Sequence, residues 1–144
     1  MPNLRSGAVA SLQWIWRTIF AAVIATGALT TAAGAQTAGA TLFAQNCSAC
    51  HQLTGLGIHG AFPALAGDPF VLGDPKKPAY VLLHGRGGMP NFSEDLSDAD
   101  IAAVLSYVRS SWGNHAPPLD AALVASVRGG GAEPPKERSA LPGH

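Results

Sequence analysis

Five consecutive residues, Cys47-Ser48-Ala49-Cys50-His51, carry the most specific chemistry in the chain. Two thiols separated by two residues, with an imidazole directly behind the second, have the spacing that fixes a c-type haem to a polypeptide. Each sulfur adds across one vinyl group of the porphyrin edge, and the histidine that follows is carried beneath the ring to the iron. The other readings of these residues are weaker. A structural zinc site takes four ligands, and the chain has only two cysteines. A thioredoxin-like redox pair belongs in a βαβ setting and gives His51 no role. A disulfide across two residues closes too small a loop to restrain the unfolded chain much.

A second stretch, Gly87-Gly88-Met89-Pro90-Asn91-Phe92, offers a thioether. The chain has two methionines, Met1 and Met89, and Met1 leaves with the leader described below. A lone methionine is ordinarily core filler, yet filler does not call for two glycines before it and a proline after it. Glycines let backbone approach a flat cofactor, and Pro90 stiffens the loop that presents the sulfur. Met89 is therefore expected as the second iron ligand. His59, His84 and His115 are the competing imidazoles, but glycine-rich and helix-end positions are ordinary for solvated histidine. His144 is a tail residue.

Helices must position these groups. From Thr37 the residues Gly39, Leu42, Phe43 and Asn46 recur at helical spacing and lead directly into Cys47. Gly39 inside a helix costs about 1 kcal/mol relative to alanine, which makes sense if another backbone approaches closely there. The partner is the segment Ser97 to Trp112, with Ser97 and Asp100 as a capping box, Asp98 and Asp100 in the first turn and Arg109 in the last. Ile101, Val104, Leu105, Val108 and Trp112 form its apolar stripe, expected to cross the first helix near Gly39 and Phe43, with Tyr107 and Trp112 at the margins. Gly113 supplies a stop. Between these helices Gly and Pro punctuate the chain, leaving room for one short helix opened by Lys77-Pro78 and closed at His84-Gly85. No alternation is long enough for a sheet.

The 144 residues carry nine basic and nine acidic side chains. Arg5 and Arg17 precede an apolar run from Ile19 to Leu29, followed by Ala33-Gly34-Ala35 before Gln36, a small-residue cleavage pattern. Residues 1-35 thus read as an export signal. An uncleaved anchor is the alternative, although Arg17 interrupts the roughly 20 apolar residues that a span needs. Export leaves about 109 residues, a chain short for a stable core of its own that a buried porphyrin would complete. After Gly113, Pro117-Pro118 opens a C-terminal extension, 117-144, with a short helix near 119 to 128 followed by a Gly, Pro and charge-rich tail expected to be disordered.

The ordered set of Gly39 and Phe43, the Cys47 to His51 motif, Phe62-Pro63-Ala64-Leu65, Gly88-Met89-Pro90 and a final helix resembles the class I cytochromes c over most of residues 37 to 113. The resemblance implies an all-α cytochrome c fold, residues 36-116, wrapped round one haem c held covalently through Cys47 and Cys50. Its iron would be bound by His51 on one face and Met89 on the other. The resemblance also implies that the Pro63 carbonyl accepts a hydrogen bond from His51, and that Arg86 meets a haem propionate and Asn91 the Met89 sulfur or the turn of its loop. Haem attachment outside the bacterial inner membrane agrees with an export signal. The stretch Tyr107 to Pro118 is similar to cytochrome subunits of bacterial periplasmic dehydrogenases.

With both axial positions filled the iron only changes charge. The expected function is periplasmic electron transfer by a non-catalytic carrier or subunit, from a dehydrogenase donor to a cytochrome or oxidase acceptor. The alternative is a haem protein whose Met ligand is labile, acting in peroxide chemistry or gas binding. Before the tail, the only positive charges of the mature chain are Lys76, Lys77, Arg86, Arg109 and Arg128, too few for a steering ring, so a largely apolar partner contact is expected. No nucleic-acid motif or basic cluster is present. Membrane association is expected only through an uncleaved signal or a partner complex.

Overall fold

In the computed structural model residues 30–130 are described, and they form six helices without a strand: α1 (Thr30–Asn46), α2 (Ser48–His51), α3 (Pro69–Leu72), α4 (Lys76–His84), α5 (Asp98–Ser110) and α6 (Ala121–Arg128). Two isolated bridges, Ile58 with Phe62 and Arg86 with Met89, are the only β pairings among them. The architecture is the all-α class expected. Most of the export-signal segment, and the tail from residue 131, lie outside the described residues.

Each helix starts and stops for a local reason. Asp68 accepts from the Phe70 and Val71 amides (2.7 and 3.2 Å) with Pro69 behind it, which caps α3. In α5 the Ser97 hydroxyl accepts from the Asp100 amide (3.2 Å) and the Asp100 carboxylate accepts from the Ser97 amide (3.1 Å), a complete capping box built with Asp where Glu is usual. Asp120 does the same service for α6 through the Leu123 amide (2.7 Å). Gly85 ends α4, its amide returning to Val81 O (2.8 Å).

The crossing of α1 and α5 falls where the sequence puts it. A Cβ on Gly39 would strike the Ala103 carbonyl oxygen and lie 2.8 Å from Tyr107 Cβ, so only glycine lets the two backbones meet. Phe43 is buried one turn on, with the rings of Tyr107 and Trp112 at 5.6 and 5.1 Å. Asn46, placed by spacing on the same face, is exposed and donates instead to Leu42 O (3.0 Å). Ile101, Val104, Leu105 and Val108 of the expected stripe are all buried.

The end of α5 differs from expectation. The helix stops at Ser110, and Trp112 leaves it with φ +54°. Its last carbonyls are taken by groups further along: Tyr107 O accepts from Ser111 Oγ (2.7 Å), Val108 O from Asn114 Nδ2 (2.7 Å) and Arg109 O from the Ala116 amide (3.0 Å). With these acceptors satisfied there is nothing to gain from another turn. Trp112 turns back so that its indole N–H reaches Leu53 O (2.9 Å), tying the helix end to the segment behind His51.

The helix that the sequence left between two roles packs inward. Leu119, Val124 and Val127 belong to the same core as α4 and α5, and α6 lies against both of those helices.

Candidate functional site

The motif begins where α1 ends. The Cys47 amide closes the last turn of α1 on Phe43 O (2.9 Å), and Cys47 O accepts from the His51 amide (2.9 Å), so the two thiols sit about a turn apart at the α1–α2 junction. Both are free and half-buried. Burial, with Cys50 as a second contribution, pushes the Cys47 thiol up to about 11, which keeps it protonated near neutral pH.

His51 is buried, and its Nδ1 lies 2.9 Å from the Pro63 carbonyl oxygen. A carbonyl only accepts, so Nδ1 carries the proton and Nε2 keeps the lone pair that a metal requires. The loop between them is built to bring Pro63 back. Ile58 and Phe62 exchange backbone hydrogen bonds (2.9 and 2.8 Å), Gly55 O accepts from the Leu65 and Ala66 amides (2.7 and 3.0 Å), and the Gly57 amide donates to His51 O (3.0 Å). Gly57 has φ +64°, and a Cβ there would lie 2.5 Å from Pro63 O, so a side chain would displace the carbonyl that holds the imidazole.

Met89 lies in the α4–α5 connection, residues 85–97. Arg86 and Met89 exchange backbone hydrogen bonds (3.2 and 3.0 Å) across Gly87 and Gly88, and the Phe92 amide donates to Leu82 O (2.8 Å), anchoring the far side of the loop on α4. Met89, like Cys47 and Leu65, is partly buried against the main core cluster. The Arg86 guanidinium sits 5.2 Å from the centre of the Phe70 ring, a cation–π contact that ties the loop to α3. Asn91 is exposed, as are His59, His84 and His115. His84 stacks on Tyr80 at 4.0 Å and its Nδ1–H donates to Tyr80 O (3.0 Å).

Two supporting residues escaped the sequence reading. Asn114 is only 1% exposed: its Nδ2 donates to Val108 O and Leu65 O (2.7 and 3.2 Å) and its Oδ1 accepts from the Gly67 amide (2.8 Å), so one side chain fastens the end of α5 to the loop that carries Pro63. Its one sequence signal is its place directly after the helix-stopping Gly113. Arg109, expected as a positive charge in the last turn of the helix, is 2% exposed and donates to the carbonyls of Val71, Gly73 (3.0 Å) and Pro117 (3.0 Å). Burial lowers its pKa, and the charge of Asp74 partly offsets that.

The donor set fits a covalent haem: two thiols about a turn apart, an imidazole whose tautomer leaves Nε2 free, and a thioether held in a braced loop beside the same core. Among the described residues no group of three or more His, Cys, Asp or Glu is placed to hold a metal ion. An all-helical domain with this motif is a c-type cytochrome domain. Residues 34–108 match the family model described as cytochrome c oxidase, cbb3-type, subunit III, and the chain belongs to this family of c-type cytochromes. It is 38% identical over 104 residues to the cytochrome c subunit of a quinone alcohol dehydrogenase from Gluconobacter oxydans, covering 64% of this chain and 22% of the relative. It is 38% identical over 96 residues to cytochrome c-552 of Thermus thermophilus (56% of this chain, 64% of the relative). With cytochrome c6 of a Picosynechococcus the identity is 40% over 103 residues (63% and 85%). The chain thus spans under a quarter of the dehydrogenase subunit that it matches, and it carries a cytochrome c electron-transfer domain.

Proposed function

We propose that this domain holds one haem c, bound through Cys47 and Cys50 with His51 and Met89 as axial ligands, and relays single electrons in the periplasm from a dehydrogenase to a respiratory acceptor. Haem, when bound, supplies a one-electron iron couple. The residues of the chain do the rest. Pro63 fixes the His51 ring and, by polarising Nδ1–H, strengthens Nε2 as a donor. The braced 85–97 loop presents a thioether, a ligand that favours the reduced iron and raises the potential. With both axial positions filled, peroxide and gases find no place to bind.

The observation that carries this reading is the His51 to Pro63 hydrogen bond, which prepares one nitrogen and no other for the iron. The similarity to dehydrogenase cytochrome subunits supports a dehydrogenase as donor. The reading of residues 1–35 as an export signal supports a periplasmic placement.

Met89→Leu tests the ligation. The variant is expected to lose the weak charge-transfer band that a methionine sulfur gives to ferric haem, to bind carbon monoxide when ferrous, and to have a lower midpoint potential. An unchanged spectrum and potential would remove Met89 from the iron and leave the labile-ligand reading in its place.

A further inference from the structure

Arg128, the last residue of α6, lies twenty residues beyond the family match, yet its side chain reaches the connection that carries Met89. Nε donates to the Asp98 carboxylate (2.8 Å), Nη1 to Ser93 O (2.6 Å) and Nη2 to Leu96 O (3.1 Å). These three acceptors belong to the stretch that runs from the Met89 loop into α5. Leu96 is itself hydrogen-bonded to Phe92 O (3.0 Å), and the Phe92 amide to Leu82 O. Met89 has α4 on one side of its connection and α5 on the other, and α6 packs across both helices through buried Val124 and Val127.

We infer that α6 is a clasp for the methionine loop, and that Arg128 is a positioning residue which holds the loop closed through a planar fork. The inference rests on Met89 being an iron ligand. A loop that carries a ligand opens with some equilibrium constant, and an external ligand binds in proportion to the open fraction. Arg128 binds three acceptors at the surface of the closed arrangement, its side chain and that of Asp98 each about a third exposed. A guanidinium is suited to this because its donors diverge in one plane, whereas an ammonium is a single point. The clasp has a consequence for this chain in particular: the segment after residue 116, an extension in sequence, sets how tightly the thioether is held.

The test is titration of the full-length ferric holoprotein with imidazole, followed through the methionine charge-transfer band. Arg128→Gln is expected to raise the apparent affinity for imidazole about threefold, the scale of losing a solvent-screened surface fork, with Arg128→Lys in between. Val108→Ala separates positioning from stability, since it thins the buried face of α5 near its far end, eleven residues beyond the connection. It should lower the unfolding temperature and leave imidazole binding unchanged. Equal imidazole affinity in wild type and Arg128→Gln overturns the clasp while Met89 keeps its place. An equal gain in Val108→Ala also overturns it, by showing that general loosening suffices. A wild type without the charge-transfer band overturns the ligation reading, and the clasp with it.

Discussion

The carbonyl of Pro63 sets which nitrogen of His51 carries the proton, and a glycine six residues earlier sets where that carbonyl sits. Gly57 has left-handed backbone torsions, and a methyl group at its Cα would meet the Phe62 and Pro63 carbonyls. Gly57→Ala combines backbone strain of about 1–3 kcal/mol with that collision. The loop must shift, and the His51 Nδ1–H loses its partner. The expected outcome is a lower midpoint potential and a shifted ferrous spectrum with the haem still attached, measured by redox titration and mass spectrometry. A spectrum and potential matching the wild type would show that Pro63 is not held by this glycine. The spacing in the motif singled out the histidine, whereas the tautomer that leaves its Nε2 free depends on an oxygen twelve residues away.

At the scale of elements, the molecule fastens its helix ends with side chains from downstream. Asn114 holds the α5 terminus, the Pro63 loop and the approach to α3 at once, with all of its side-chain atoms hydrogen-bonded. Asn114→Ala takes the side-chain partner from the Gly67 amide and the Val108 carbonyl and leaves Leu65 O with the Asp68 amide (3.5 Å), a loss of about 2 kcal/mol. Urea unfolding of the holoprotein should show the midpoint fall without a change in slope. A variant as stable as the wild type would mean that water replaces the amide. Some helix starts were legible: Ser97 with Asp100 caps α5 as expected, and the helix expected to open at Lys77-Pro78 and close at His84-Gly85 begins at Lys76, whereas α1 begins at Thr30 rather than Thr37 and α3 was not expected. The end of α5 was not legible, because its last carbonyls are claimed by Ser111, Asn114 and Ala116 after the chain has turned.

For the whole molecule, charge and core size govern behaviour. No Lys, Arg, Asp or Glu occurs between Arg17 and Asp68, and within that stretch Leu53 and Leu56, two to five positions beyond His51, are 66% and 64% exposed. A partner that met these residues would gain apolar burial and little long-range steering. The rate of electron transfer with a purified dehydrogenase partner should therefore change only modestly with ionic strength. A steep fall with added salt would point to a charged surface elsewhere.

The core itself is modest, built mainly from aliphatic residues around one buried phenylalanine. A domain of this size gains much from a covalently held apolar group. Far-ultraviolet circular dichroism of the haem-free Cys47→Ala/Cys50→Ala chain should show markedly less helix than the holoprotein, and equal helicity would show that the chain folds without help.

By itself the sequence determined the haem motif, the all-α class, the glycine at the α1–α5 crossing and most of the buried stripe of α5. Each of these is set by the type and spacing of residues within a few turns of one another. Only the tertiary structure decided that Arg109 and Asn114 are interior, that Trp112 leaves its helix, and that α6 closes over the core with Arg128 on the methionine loop. The reason is physical: a polar side chain is buried when distant backbone acceptors converge on it, and no local pattern records where the folded chain will bring them.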